Sequence, residues 1–170
     1  LLNKYPGTKI KAKARDLSRK DEVDNFGQWL LDNGISVDVL VNNAGNFLPG
    51  SVYNEEAGML EEMIAVNLYS AYHLTRKLLP TMMKQSIAAG SRGHIFNMCS
   101  VASLGAYENG GSDSISKFAL NGFSQNLREE MKAHHIKVTA VFPGAVMTDS
   151  WGDYDNTSNR IMEANDIAKM

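Results

Sequence analysis

The feature that most constrains this chain is Val37-Asp38-Val39-Leu40-Val41, a short apolar run that stops on Asn42-Asn43-Ala44-Gly45. A run of that length, rich in β-branched residues, suits a parallel strand buried on both faces. The pattern recurs twice. Gly93-His94-Ile95-Phe96-Asn97-Met98 runs into Cys99-Ser100, and Ile136 to Phe142 runs into Pro143-Gly144. Helical patterns separate these runs. One spans about 54–85, where Pro80 should kink or interrupt it late, and another about 114–133. Strand and helix in alternation define an α/β parallel sheet. Right-handed crossovers then place the polar strand ends, and any ligand, along the carboxyl edge of that sheet.

The flanks read less sharply. Leu1 to Gly7 reads as a helix tail closed by Pro6-Gly7. Residues 8–14 alternate Ile10, Ala12 and Ala14 against Lys11, Lys13 and Arg15, which predicts a half-buried strand. Ser18 is the expected N-cap of a helix through Asn33 that is closed by Gly34, with Val23, Phe26, Leu30 and Leu31 on one face. Residues 145–159 read as polar and irregular, and a last helix begins near Asn165.

The chain's 170 residues, 44% hydrophobic, imply one domain over residues 1–170. A net charge of -2 argues against a nucleic-acid or anionic-membrane surface. The single cysteine, Cys99, excludes a disulfide framework and fits a reducing compartment. With neither a leader nor a membrane-length apolar run, the expected location is cytoplasmic. His134 and His135 lack the spaced partners of a metal site, and no metal is expected.

Five motifs in order make the chain resemble the short-chain dehydrogenase/reductase family over nearly all its length. They are Asn42-Asn43-Ala44-Gly45, Val66-Asn67, Ser100 in its small-residue loop, Ser116-Lys117-Phe118-Ala119-Leu120, and Pro143-Gly144-Ala145-Val146-Met147-Thr148. The stretch from Pro143 to Trp151 further looks like small-molecule carbonyl reductases of the sepiapterin-reductase type. The resemblance implies a Rossmann-like doubly wound sheet, a NAD or NADP cofactor with NADP slightly favoured, and a small carbonyl or alcohol substrate. It also implies a homodimer or homotetramer, built on the two long helices; Phe118, Phe123 and Leu127 are candidate contacts, with core packing against the sheet as their commoner residue-level reading.

Site residues follow from the same resemblance. Asp16, with Leu17 beside it, would receive the adenine; its residue-level alternative is a carboxylate capping a strand end. Asn42 and Asn43 would tie strands, while Asn43, Ala44 and Gly45 let a ribose approach the backbone. Asn67 would open the helix ladder and hold a water relaying protons to Lys117. Pro143, Gly144, the Val146 backbone and Thr148 would hold the nicotinamide, and Lys117 its ribose.

In that family a tyrosine delivers a proton to the carbonyl oxygen, a serine polarises the same oxygen, and the lysine lowers the phenol pKa. The tyrosine lies four residues before the lysine and thirteen after the serine. Counting back from Lys117 and forward from Ser100 both reach residue 113, which is aspartate. A carboxylate beside Lys117 should be ionised, and its side chain ends short of a phenol hydroxyl. The expectation is therefore an Asp113–Lys117 ion pair that impairs turnover, with Tyr107 as a pocket wall or packing and, as the lesser alternative, a substitute phenol brought in by Gly110 and Gly111. The residue-level alternative makes Ser112 or Asp113 a helix N-cap.

A glycine-rich turn of the TGxxxGxG kind does not occur in the sequence. On the family pattern, roughly fifty residues of a first βαβ unit and a last strand would lie outside it. The chain thus reads as an incomplete Rossmann-like domain: an oxidoreductase impaired in this form, or a non-catalytic relative acting by binding or dimerisation.

Overall fold

The computed structural model describes residues 7–148, 155 and 161–169. The expected leading helix tail, apart from Gly7, and most of the polar stretch 149–160 lie outside those residues. The elements are α1 (Lys20–Asp32), β1 (Val39–Asn42), α2 (Met59–Ile64), a π-helical turn (Ala65–Tyr69), α3 (Ser70–Met82) and β2 (Gly93–Met98). After a 3₁₀ turn (Val101–Ser103) come α4 (Gly111–Met131), β3 (Ile136–Val141), β4 (Val146–Met147), β5 (Met162–Glu163) and α5 (Ala164–Ala168).

The sheet is parallel in the order β1-β2-β3. Val39 to Asn42 face His94 to Asn97, and Gly93 to Met98 face Ile136 to Val141. This register sets Asn42, Asn97 and Met98 at one edge, where the loops bearing the motifs begin. Val23, Leu40, Leu74, Leu78, Met82, Ile95, Leu127 and Val138 form the main core, in which α1, α3 and α4 meet the sheet. Removing that apolar surface from water stabilises the fold at roughly 25 cal/mol per Å².

Several sequence expectations change. Residues 8–14 form no strand and are exposed, because no neighbouring strand completes their hydrogen bonds. β1 is buried on one face only. Val39 and Val41 are 58% and 53% exposed, while Leu40 and Asn42 are buried. The described helices meet the sheet on the Leu40, Ile95 and Val138 side, so the alternate residues stay uncovered. Ser18 is not the cap of α1; Arg19 holds that position. The Asp16 carboxylate has drawn the Ser18 amide (3.0 Å) and hydroxyl (2.6 Å) into a local turn. The irregular tail contains a strand, since Val146 and Met147 pair with Met162 and Glu163.

The long helix starts at Met59 rather than near residue 54, because residues 52–54 form a turn and Glu55 reaches across to α4. Pro80 lies in the last turn of α3, which ends two residues later at Met82. α4 begins at Gly111, ahead of the expected residue 114, so Ser112 and Asp113 lie inside the helix with Gly110 as N-cap. No side chain of Ser112 or Asp113 caps it. Glu55 does so from outside, accepting the Ser112 amide at 2.7 Å and its hydroxyl at 2.5 Å. An anion at a helix start satisfies otherwise unpaired N–H groups and complements the dipole. Gly111 (φ +28°) makes this approach possible, because a Cβ there would stand 1.9 Å from Glu55 Oε1.

Candidate functional site

The site is assembled at the carboxyl ends of β1 and β2 and the first turns of α4. Its foundation is a buried polar chain. Asn42 donates to Thr75 (3.0 Å) and to Asn97 (2.8 Å), and Asn97 donates to Ser124 (2.8 Å). Ser124 passes its hydroxyl to the Leu120 carbonyl (2.7 Å). Fully satisfied networks of this kind fix strand and helix in one relative position. The loop that leaves Asn42 is thereby held against α4.

Asn67 lies at the centre of the π-helical turn and is almost fully buried. A π-turn leaves backbone groups out of the regular ladder. Asn67 uses both ends of its amide. It accepts the Asn46 amide (2.8 Å) and donates to the Asn46 carbonyl (3.1 Å) and to Ser116 Oγ (2.8 Å). The loop after β1 is thus bonded to α4 through one side chain. Gly45 sits against this pair, since a Cβ there would lie 3.2 Å from Asn67 Oδ1 and 3.4 Å from Lys117 Nζ. Gly45, Asn67 and Lys117 therefore enclose a shallow cradle that a larger residue at 45 would fill. Asn43 and Ala44 lie exposed at its rim.

Lys117 donates to the Met98 carbonyl at 3.3 Å. Burial lowers its pKa, against the charges of Asp113 and Cys99, which act to raise it. Ser100 caps the 3₁₀ turn, its Oγ accepting the Ala102 amide at 3.2 Å. That turn is docked on α4 by the Ser114 hydroxyl on the Ala102 carbonyl (3.2 Å) and by Asn121 on the Ser103 carbonyl (3.3 Å). The Val101 amide bonds the Pro143 carbonyl at 3.0 Å, which joins Pro143 and Gly144 to the same edge.

Asp113 is buried, 4% exposed, and does not pair with Lys117. The four ion pairs among the described residues leave both groups out. The expected ion pair is therefore corrected: the Tyr107 hydroxyl donates to Asp113 Oδ2 at 2.9 Å and occupies the carboxylate instead. The expected effect on its acidity also changes sign. Burial raises the Asp113 pKa, and this outweighs the lowering by the Tyr107 hydrogen bond and the Lys117 charge. Burial, then the bond to Asp113 and its charge, push the Tyr107 phenol well above its ordinary value. Tyr107 also lines a cavity of about 480 Å³ with Val52, Ile115 and Phe118.

Residues 1–159 match the family model for short chain dehydrogenase. The chain belongs to the short-chain dehydrogenase family. It is 27% identical over 169 residues to an uncharacterized oxidoreductase of Staphylococcus aureus (strain MRSA252), covering 99% of this chain and 71% of that one. A metagenomic short-chain oxidoreductase solved in complex with NADP is 34% identical with a TM-score of 0.72, covering 82% of this chain and 61% of the other. A 4-hydroxyisoleucine dehydrogenase complexed with NADH is 26% identical with a TM-score of 0.76, covering 91% and 67%. The chain thus spans between three fifths and three quarters of these relatives' length.

Within this short-chain dehydrogenase, Asn67, Ser100, Asp113 and Lys117 come to one sheet edge, with Gly45, Pro143 and Gly144 beside them. Among the described residues, no hydrogen bond or ion pair joins Asp16 or Thr148 to that cluster. Asp16 is exposed and bonded to Ser18, and Leu17 packs on the core. Val146 is held in the β4 pairing, and Thr148 is exposed. Of the three candidate dimer contacts, Leu127 is core and Phe123 packs against it, so Phe118 alone is exposed. Sequence reading assigned no role to Glu55, to Asn46 or to Ser116, which it quoted only within a motif. Glu55 leaves no local signal because its partner is 57 positions away. Ser116 had one, a small polar residue at the buried position next to the lysine.

Proposed function

We propose that this chain carries the catalytic edge of an oxidoreductase that exchanges hydride between NAD or NADP and a small carbonyl or alcohol, with turnover impaired in this form. The observation that carries the reading is the cradle of Gly45, Asn67 and Lys117, which lies at the carboxyl edge of a parallel sheet. A backbone without a side chain, next to an ammonium whose one hydrogen-bond partner among the described residues is a long carbonyl contact, fits the ribose of a dinucleotide. Asn43, Ala44 and Gly45 would lie along it, Lys117 would bond its hydroxyls, and Pro143, Gly144, Val146 and Thr148 would flank the nicotinamide. Asp16 and Leu17 stand in reserve for the adenine. When bound, the cofactor supplies or accepts the hydride.

The chain's own residues must then manage the proton. The Ser100 hydroxyl would polarise a carbonyl oxygen. Asn67 holds the loop and α4 in register around Lys117. Asp113 stands where the donor belongs, yet its carboxylate accepts a hydrogen bond from Tyr107. An acceptor already engaged has no proton directed at a substrate oxygen, and losing one general acid costs typically 10²–10⁴-fold in rate.

That same bond favours a second reading, a non-catalytic relative that binds dinucleotide or forms a homodimer or homotetramer. Phe118 and Ile115 on α4 would contribute to such an interface. Titration of NADPH and NADH by nicotinamide fluorescence, with Lys117→Ala as control, tests the site. Binding that Lys117→Ala weakens supports the assignment, and binding indifferent to that substitution refutes it.

A further inference from the structure

Asp113 and Lys117 stand one helical turn apart, the spacing at which opposite charges pair on a helix. Both are drawn out of water, which strengthens their attraction. They nevertheless remain unpaired, and the difference is made by a residue from outside the helix. Tyr107 belongs to the segment after the 3₁₀ turn, and its phenol closes on Asp113 Oδ2 at 2.9 Å. Among the described residues it is the carboxylate's one side-chain hydrogen bond. Lys117 is left with the Met98 carbonyl at 3.3 Å, a long bond for an ammonium.

We propose that Tyr107 is a positioning residue for Lys117: by holding the Asp113 carboxylate, its hydroxyl keeps the ammonium uncommitted and open toward the Gly45 cradle. The inference rests on the reading of Lys117 as the residue that meets the cofactor ribose. Without the phenol, a buried carboxylate loses its side-chain hydrogen bond and is left uncompensated, which is costly for a charged group. Lys117 is the cation whose charge reaches it, so a side-chain rotation on α4 recovers the loss by forming the ion pair. The charged or titratable groups that reach Lys117 are Asp113 on its own helix and Cys99 at the end of β2. Burial raises the Cys99 thiol above its ordinary pKa, which disfavours its thiolate, so Asp113 is the group that matters.

The test is competitive acetylation of the intact protein with acetic anhydride, read by peptide mass spectrometry as a function of pH, with exposed Lys11 as internal standard. It requires no cofactor and no turnover. In Tyr107→Phe the freed carboxylate pairs with Lys117, and its acetylation at a pH below its pKa falls about tenfold, the change expected of a one-unit rise. In Asp113→Asn/Tyr107→Phe no charge is released, and Lys117 reacts as in Asp113→Asn alone. Unchanged Lys117 reactivity in Tyr107→Phe overturns the proposal. So does an equal fall in the double variant, because that would make the effect one of packing. A thermal melt of each variant reports folding separately. NADPH binding is measured on its own, so its failure would refute the cofactor reading and leave the acetylation result standing.

Discussion

Removing the Glu55 carboxylate should loosen both the start of α4 and the loop that reaches it. Glu55 Oε1 and Oε2 accept two charge-assisted hydrogen bonds from Ser112, at 2.7 and 2.5 Å. Bonds of that class contribute about 1.5–3 kcal/mol each, a gross loss of roughly 3–6 kcal/mol in Glu55→Ala. Glu55 is half-buried, so water replaces part of what is lost, and a net cost of about 2–3 kcal/mol is expected. For a chain of this size that lowers the melting temperature by roughly 5–10 °C. Glu55→Gln keeps an acceptor without the charge and should lose about half as much. Urea unfolding monitored by circular dichroism gives both values. Hydrogen exchange should show faster opening at Ser112 and at Gly50, whose amide bonds the Asn109 carbonyl on the same clasp. A Glu55→Ala stability within about 0.5 kcal/mol of the parent would refute the argument, since such values mark surface substitutions without structural roles.

Other perturbations follow from the same geometry. Asn67→Leu leaves the Asn46 amide and carbonyl without their partner, and it should destabilise by about 2–4 kcal/mol in chemical unfolding, with Lys117 acetylation altered as the cradle opens. Lys117→Met should raise the melting temperature at neutral pH while weakening NADPH binding. The Lys117 pKa is lowered on folding, so its contribution to stability is fully present above the unfolded value of 10.5 and is lost as pH falls through the folded one. Asp113 has the opposite sign. Its pKa is raised on folding, so its contribution is present below the unfolded value of 3.8 and is lost as pH rises through the folded one. Asp113→Asn should therefore remove a stabilisation that grows on acidification, so the variant loses more stability than the parent as pH falls, as melts across acidic buffers would show.

The parallel sheet and its polar edge were legible because they depend on local pattern. Three apolar runs, each ending in small or polar residues, locate β1, β2 and β3 to within a residue or two. Asn67 was legible too, as an unfavourable residue in a helix, and the π-helical turn there accounts for it. What failed was whatever depends on a partner distant in sequence. Residues 8–14 alternate like a strand but have no neighbour to bond. Val39 and Val41 are as apolar as any buried strand residue, yet sequence alone does not say whether a helix covers them. Asp113 and Lys117 have the spacing of an ion pair, and only the fold shows Tyr107 arriving first. Glu55 was invisible for the same reason.

We propose that residue 113 occupies the proton-delivery position and that its engaged carboxylate cannot deliver. NADPH oxidation by the intact polypeptide, measured against a panel of aldehydes, ketones and diketones, should rise by about 10²–10⁴-fold in kcat/KM on Asp113→Tyr. Equal turnover in the aspartate and tyrosine forms would contradict the account.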